Sequence, residues 1–148
     1  TSMLQSVVQE GTGRRARRLQ RPAAGKTGTT NEQKDAWFAG FTPQLAAVVW
    51  VGFDRPRSLG KKETGSRAAL PIWLRLMERA LRDQPKLSFR QPPNVVVEAI
   101  DPATGLLAPS GATDALQEVF VAGTQPSEYA PSPDEVDPDT ILMDTAVP

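Results

Sequence analysis

The chain has 148 residues, 39% hydrophobic and 23% charged, enough for one packed core and about one domain. It contains no cysteine and no histidine, which excludes disulfides, thiolate or imidazole metal sites, and any Ser–His–Asp or Cys–His machinery made from this chain alone. The formal charge of zero hides an asymmetry: all 17 Lys and Arg lie before residue 91 against 7 acids, giving +10, and the other 10 acids follow with no basic residue, giving −10.

Met3, Leu4, Val7 and Val8 recur at helical spacing and predict a helix over residues 2–10, stopped by Gly11-Thr12-Gly13. The chain opens inside that helix, so targeting information is expected upstream. Arg14–Arg18 is a basic cluster read as a solvated loop leading into a short extended segment, with Pro22 barring a long central strand. Lys26–Thr30, Ala36–Phe41 and Ala46–Phe53 predict three successive strands, the last two joined as an antiparallel hairpin by Thr42-Pro43-Gln44. The third is apolar on both faces, which predicts burial on both sides. Trp37, Trp50 and Trp73 all read as core.

Arg55–Gly65 reads as a loop. Residues 68–82 are the best helix, with Ala69, Ile72, Trp73, Leu76, Met77, Ala80 and Leu81 as its apolar stripe and Pro71 tolerable in the first turn. Nine of the 14 prolines follow residue 90, and the composition shifts at Gln91-Pro92-Pro93. That shift predicts two parts, 1–91 and 92–148. In the second, Val95–Ile100 and Leu106–Leu107 flank the turn signature Asp101-Pro102-Ala103-Thr104-Gly105 and predict a small hairpin. Residues 125–148 read as largely irregular. No apolar run reaches the ~18–20 residues needed to span a bilayer.

The chemistry concentrates in Gly25-Lys26-Thr27-Gly28-Thr29-Thr30. A phosphate loop would need a glycine at position 20, which is Gln20, and a following helix where a strand pattern stands. As a strand beside a serine nucleophile the segment makes sense. Lys26 is a fixed cation for an anionic substrate or a developing oxyanion. Thr27 and Thr29, two apart, share a face and can jointly bind a carboxylate. Gly28 lets a substrate backbone approach. The four residues alone do not decide against an ordinary edge strand.

Their flanks do. Gly11-Thr12-Gly13-Arg14-Arg15-Ala16, Ala24–Asn31, Asp35-Ala36-Trp37-Phe38-Ala39-Gly40-Phe41-Thr42-Pro43, Val49-Trp50-Val51-Gly52-Phe53-Asp54 and Glu63-Thr64-Gly65 through Trp73, in that order, resemble the C-terminal part of the transpeptidase domain of class A (bifunctional) penicillin-binding proteins. The resemblance is closest over residues 1–82. It implies an α/β (α+β) fold, a central antiparallel sheet flanked by helices as in serine β-lactamases and transpeptidases, present here as its C-terminal portion. It implies peptidoglycan DD-transpeptidation through an acyl-enzyme, with peptidoglycan stem peptides as substrates and β-lactams as acylating inhibitors. The family's motifs are Ser-x-x-Lys, Ser-x-Asn and Lys-Thr-Gly. Only the last is here in context, so the partner is an upstream fragment of the same domain carrying the other two, with a glycosyltransferase domain further upstream. Ser58-Leu59-Gly60-Lys61 matches the first motif as a pattern but follows Lys26-Thr27-Gly28 and contains a glycine.

By resemblance, Lys26, Thr27, Gly28 and Thr29 are the catalytic strand, with Thr27, Thr29 and Thr30 touching substrate and the Thr29 amide serving the oxyanion hole. No cofactor or metal is implied. The expected location is the periplasmic face of a bacterial inner membrane, held by an anchor outside this chain. Lack of cysteine fits an oxidising compartment. Three alternatives stay open: a class B penicillin-binding protein or β-lactamase, which the flanks disfavour; an anion- or nucleic-acid-binding module using Arg14–Arg18, where no aromatics interleave; and a non-catalytic fragment.

Overall fold

The computed structural model describes residues 1–132. In chain order it holds helix α1 (Ser2–Gln9), a 3-10 helix (Arg14–Leu19), strand β1 (Ala24–Thr29), a 3-10 turn (Asn31–Gln33), β2 (Ala36–Phe41), β3 (Ala46–Val51), a π-helical turn (Gly65–Ala69), α2 (Leu70–Ala80), β4 (Val95–Ile100) and β5 (Leu116–Val121). The contacts fall into two compact units, Thr1–Arg90 and a second beginning at Gln91.

The first unit is built on an antiparallel sheet in the order β1-β2-β3. Thr27 pairs with Phe38, and Phe38 with Val49. The turn between β2 and β3 is closed by the Thr42 amide donating to the Leu45 carbonyl at 2.9 Å. One face of the sheet carries Phe38 and the half-buried Ala47, Val49 and Val51, which pack with Leu70, Trp73, Leu74, Met77 and Leu81. Trp73 meets Phe38 edge-on at 5.0 Å, and its indole N–H reaches the carbonyls of Gly40 at 3.2 Å and Ala47 at 3.1 Å. A fully buried side chain of this size contributes roughly 1.5–3 kcal/mol, and here the indole donor is also satisfied, so Trp73 ties α2 to two strands at once.

Several expectations give way. The apolar stripe of α2 is turned by about one residue: Leu70, Trp73, Leu74 and Met77 are buried, while Ile72 and Leu76 are 51% and 47% exposed. Apolar residues cover more than half the helix circumference, so periodicity could not choose between two overlapping stripes. The third strand is not buried on both faces. Val48 and Trp50 are exposed, and Trp37 beside them is too, so only Trp73 of the three tryptophans is core. Trp37 and Trp50 lie on the open face as direct cross-strand partners, with ring centroids 6.1 Å apart. The basic cluster forms a 3-10 helix, because Ala16 and Leu19 are buried three apart and a three-residue turn brings them to one side.

In the second unit β4 pairs with β5 over Val95↔Val121 to Ile100↔Leu116, not with Leu106–Leu107. The predicted turn does form: the Gly105 amide donates to the Asp101 carbonyl at 2.8 Å and the Asp101 amide to the Leu106 carbonyl at 2.9 Å. The returning strand stops after one bridge, Ile100↔Leu107, and Leu107 also bridges to Tyr129. Pro109 has no amide with which to continue the ladder. Residues 125–132 carry no helix or strand beyond that bridge; the rest of the segment read as irregular lies outside the described residues. Among the described residues no helix is long and apolar enough to cross a membrane.

Candidate functional site

Strand β1 is the edge of its sheet, with β2 on one side and no strand on the other among the described residues. Its register sets Thr27 opposite Phe38 and Thr29 opposite Ala36, so the two hydroxyls share one face, and Lys26 and Gly28, opposite Ala39 and Trp37, share the other. Thr29 Oγ1 accepts a hydrogen bond from the Gly65 amide at 3.1 Å. An accepting hydroxyl still has its own O–H to give. Thr29 is exposed, so that proton is available to an incoming acceptor.

Gly65 can sit there only because it lacks a side chain. A Cβ at that position would lie 2.2 Å from the Trp37 carbonyl oxygen and 2.7 Å from that of Gly28. The backbone of Thr64-Gly65 therefore crosses β1 and β2 in direct contact, which is why the Glu63-Thr64-Gly65 element belongs to this neighbourhood as well as to the start of α2.

Thr27 Oγ1 lies 2.8 Å from Thr12 Oγ1, in the loop after α1. Thr12 has no signal in the sequence beyond its place between two glycines, and only the fold brings it to the strand. Lys26 is exposed, and its ammonium donates to the Thr27 carbonyl at 3.0 Å. A cavity of about 270 Å³ on the Lys26 side is lined by Leu4, Lys26, Ala39, Phe41 and Val48 among others.

Thr30 differs from its neighbours. Its hydroxyl donates to Asp35 Oδ2 at 3.2 Å and accepts from the Asp35 amide at 2.9 Å, while the Trp50 indole N–H donates to Asp35 Oδ1 at 2.9 Å. The Thr30 hydroxyl thus closes the connection between β1 and β2. Ser58 lies in a loop, its hydroxyl accepting from the Gly60 amide at 3.2 Å, and Gly60 takes φ +120°, so no helix presents Ser58 and Lys61 together. Arg14, Arg15, Arg17 and Arg18 all face outward. Among the described residues no cluster of three or more potential metal ligands forms.

Comparison with known proteins points to the penicillin-binding proteins. Residues 91–135 match the family model described as Penicillin-binding protein 1A, C-terminal domain. Over most of its own length the chain is similar to penicillin-binding proteins 1A, consistent with a C-terminal fragment of one. In particular it is similar to Penicillin-binding protein 1A of Pseudomonas aeruginosa, 51% identical over 121 residues, which cover 81% of this chain and 15% of that protein. It is 48% identical over 124 residues to Penicillin-binding protein 1A of Aquifex aeolicus, covering 84% of this chain and 17% of the relative. The crystal structure of Penicillin-Binding Protein 1A from Haemophilus influenzae superposes with a TM-score of 0.77 at 39% identity, over 86% of this chain and 20% of that one. The chain therefore spans less than a fifth of the length of the first two relatives.

Proposed function

We propose that this chain supplies the Lys-Thr-Gly strand of a peptidoglycan DD-transpeptidase, with residues 1–91 forming the C-terminal part of the transpeptidase domain and 92–148 an extension outside it. The observation that carries the reading is the free edge of β1, where Lys26 is exposed and the Thr27 and Thr29 hydroxyls share one face. The serine nucleophile and the Ser-x-Asn motif belong to an upstream part of the same domain. That serine attacks the penultimate D-Ala carbonyl of a stem peptide, and the C–N bond to the terminal D-Ala breaks as its nitrogen takes up a proton. An amine of a neighbouring stem then displaces the serine from the acyl-enzyme. β-Lactams acylate the same serine.

In this reading the Lys26 ammonium lowers the energy of negative charge developing in the site. Thr27 and Thr29 donate to the substrate or drug carboxylate. Gly28 keeps the edge open to the substrate backbone. The Thr29 amide serves the oxyanion. Thr30, with its hydroxyl engaged by Asp35, acts through the shape of the turn rather than by touching substrate. The protein works at the periplasmic face of an inner membrane, anchored by a segment outside this chain.

Lys26→Ala and Thr27→Val in the full-length protein test the reading. Acylation by a labelled β-lactam is expected to slow by about 10²–10³, the range for loss of a preorganised charge-stabilising group. The melting temperature should hold, because both residues are at a strand edge. Wild-type acylation rates in both variants would remove β1 from the site.

A further inference from the structure

We infer that Thr12 is a positioning residue that orients the Thr27 hydroxyl for the substrate carboxylate; the inference rests on the reading of β1 proposed above. The observation is the 2.8 Å contact between Thr12 Oγ1 and Thr27 Oγ1. These two residues are fifteen apart in sequence and are joined by nothing local. Among the described residues Thr12 is the one side-chain partner of the Thr27 hydroxyl.

The loop that carries Thr12 is built for that placement. The amides of Gly11 and Gly13 both donate to the Val7 carbonyl at 3.1 Å, so the chain doubles back on the last turn of α1. A Cβ at Gly11 would lie 3.0 Å from Val7 Cα, and one at Gly13 would lie 3.2 Å from the Val7 carbonyl oxygen. Both positions are tight against the helix, and the side chain between them is the one that projects. Thr12 is exposed and Thr27 half-buried, so the pair lies at the rim of the strand edge, open to solvent.

The chemistry follows from counting protons. Two hydroxyls in contact share one hydrogen bond and keep one O–H between them. A carboxylate only accepts, so when it arrives the free proton must point at it. With Thr12 donating to Thr27, the Thr27 O–H is the outward donor, and the first bond polarises the second. Without Thr12, the Thr27 hydroxyl rotates freely and must be ordered by the ligand itself. Its position on β1 is unchanged, because the strand ladder holds it.

Thr12→Val and Thr12→Ala in the full-length protein remove the hydroxyl, and Thr12→Ser restores it. The probes are a β-lactam with its free carboxylate and the same β-lactam as a methyl ester. Loss of one neutral hydrogen bond predicts acylation efficiency roughly 3–10-fold lower for the carboxylate probe in both Thr12→Val and Thr12→Ala. The loss should appear in the saturation constant rather than the limiting rate, should be absent for the ester, and should be recovered by Thr12→Ser. An equal loss for both probes would show Thr12 to be a structural loop residue and overturn the inference. Unchanged acylation in both Thr12 variants, alongside a loss in Thr27→Val, would show that Thr27 acts without Thr12. Unchanged acylation in Thr27→Val itself would bring down the reading of β1 along with this one.

Discussion

Asp101 shows how much a single exposed carboxylate can organise. Its Oδ2 accepts from the Thr104 amide at 2.8 Å and from the Thr104 hydroxyl at 2.6 Å, closing the turn that Gly105 completes at φ +73°. The Thr104 side-chain bond, followed by its amide bond, holds the Asp101 carboxyl below the usual aspartate value of about 3.9. The sign follows from linkage. A depressed folded value means that the turn gains stability above the unfolded value and loses it as pH falls through the folded one, so the window lies below about pH 4. Thr104→Val removes the larger of the two bonds. The Asp101 carboxyl is then expected to titrate closer to its ordinary value in an NMR pH series. An unmoved titration would mean that the amide alone sets it.

The segment just after helix α2 shows the same economy, one side chain gathering several backbone carbonyls. The Arg21 guanidinium, arriving from the segment before β1, donates to the carbonyls of Pro85 at 2.9 Å and Gln84 at 2.7 Å, and to that of Leu81. A planar cation with several donors suits this spread of acceptors, and its charge also suits the negative end of the helix dipole. Arg21→Ala should lower unfolding stability by about 1–3 kcal/mol, and Arg21→Lys should recover only part of it. Hydrogen exchange at residues 78–84 of the full-length protein reads this locally; unchanged protection there would deny Arg21 its capping role. None of this was legible beforehand, because Arg21 to Pro85 is a long-range contact and an isolated arginine carries no pattern. What the chain does advertise is local. Alternating Ala36, Phe38 and Gly40 against Trp37, Ala39 and Phe41 marks β2, and Thr42-Pro43-Gln44 marks its turn. The helical rotation of α2 was beyond periodicity, since Ile72 and Leu76 are as apolar as Leu70 and Leu74, and the core that α2 meets, with Ala16, Leu19, Phe38 and Val49, decides which pair is buried. Likewise Lys26–Thr29 stands out as a candidate strand from its residue types, while Thr12 and the Gly65 amide reach it only through the fold.

At the scale of the whole molecule, the first unit is well packed on one face of its sheet and open on the other. Trp37, Val48 and Trp50 stand exposed on adjacent strands, and a contiguous apolar patch of this kind marks a surface to be covered by further protein. The same incompleteness suits a chain that matches less than a fifth of its first two relatives. The isolated chain is therefore expected to self-associate, and a monomeric mass with a cooperative melt would refute that. The limits of the first unit can be drawn closely. Phe89 packs edge-on against Phe41 at 5.6 Å, and the Pro85 carbonyl accepts from Arg21, so the segment after α2 still belongs to it. Gln91 begins a second unit with its own strand pair and turn. A full-length protein ended after Gln91 keeps every one of the first unit's contacts, whereas one ended after Gln84 loses Phe89 and one of the three Arg21 acceptors. The first truncation is expected to acylate with a β-lactam within about twofold of the intact protein, since surface changes away from a packed site cost little. The second is expected to melt lower, by the lost aromatic contact and the weakened cap together. Lost acylation in a still-folded protein ending at Gln91 would put part of the site beyond residue 91 and move the functional boundary with it.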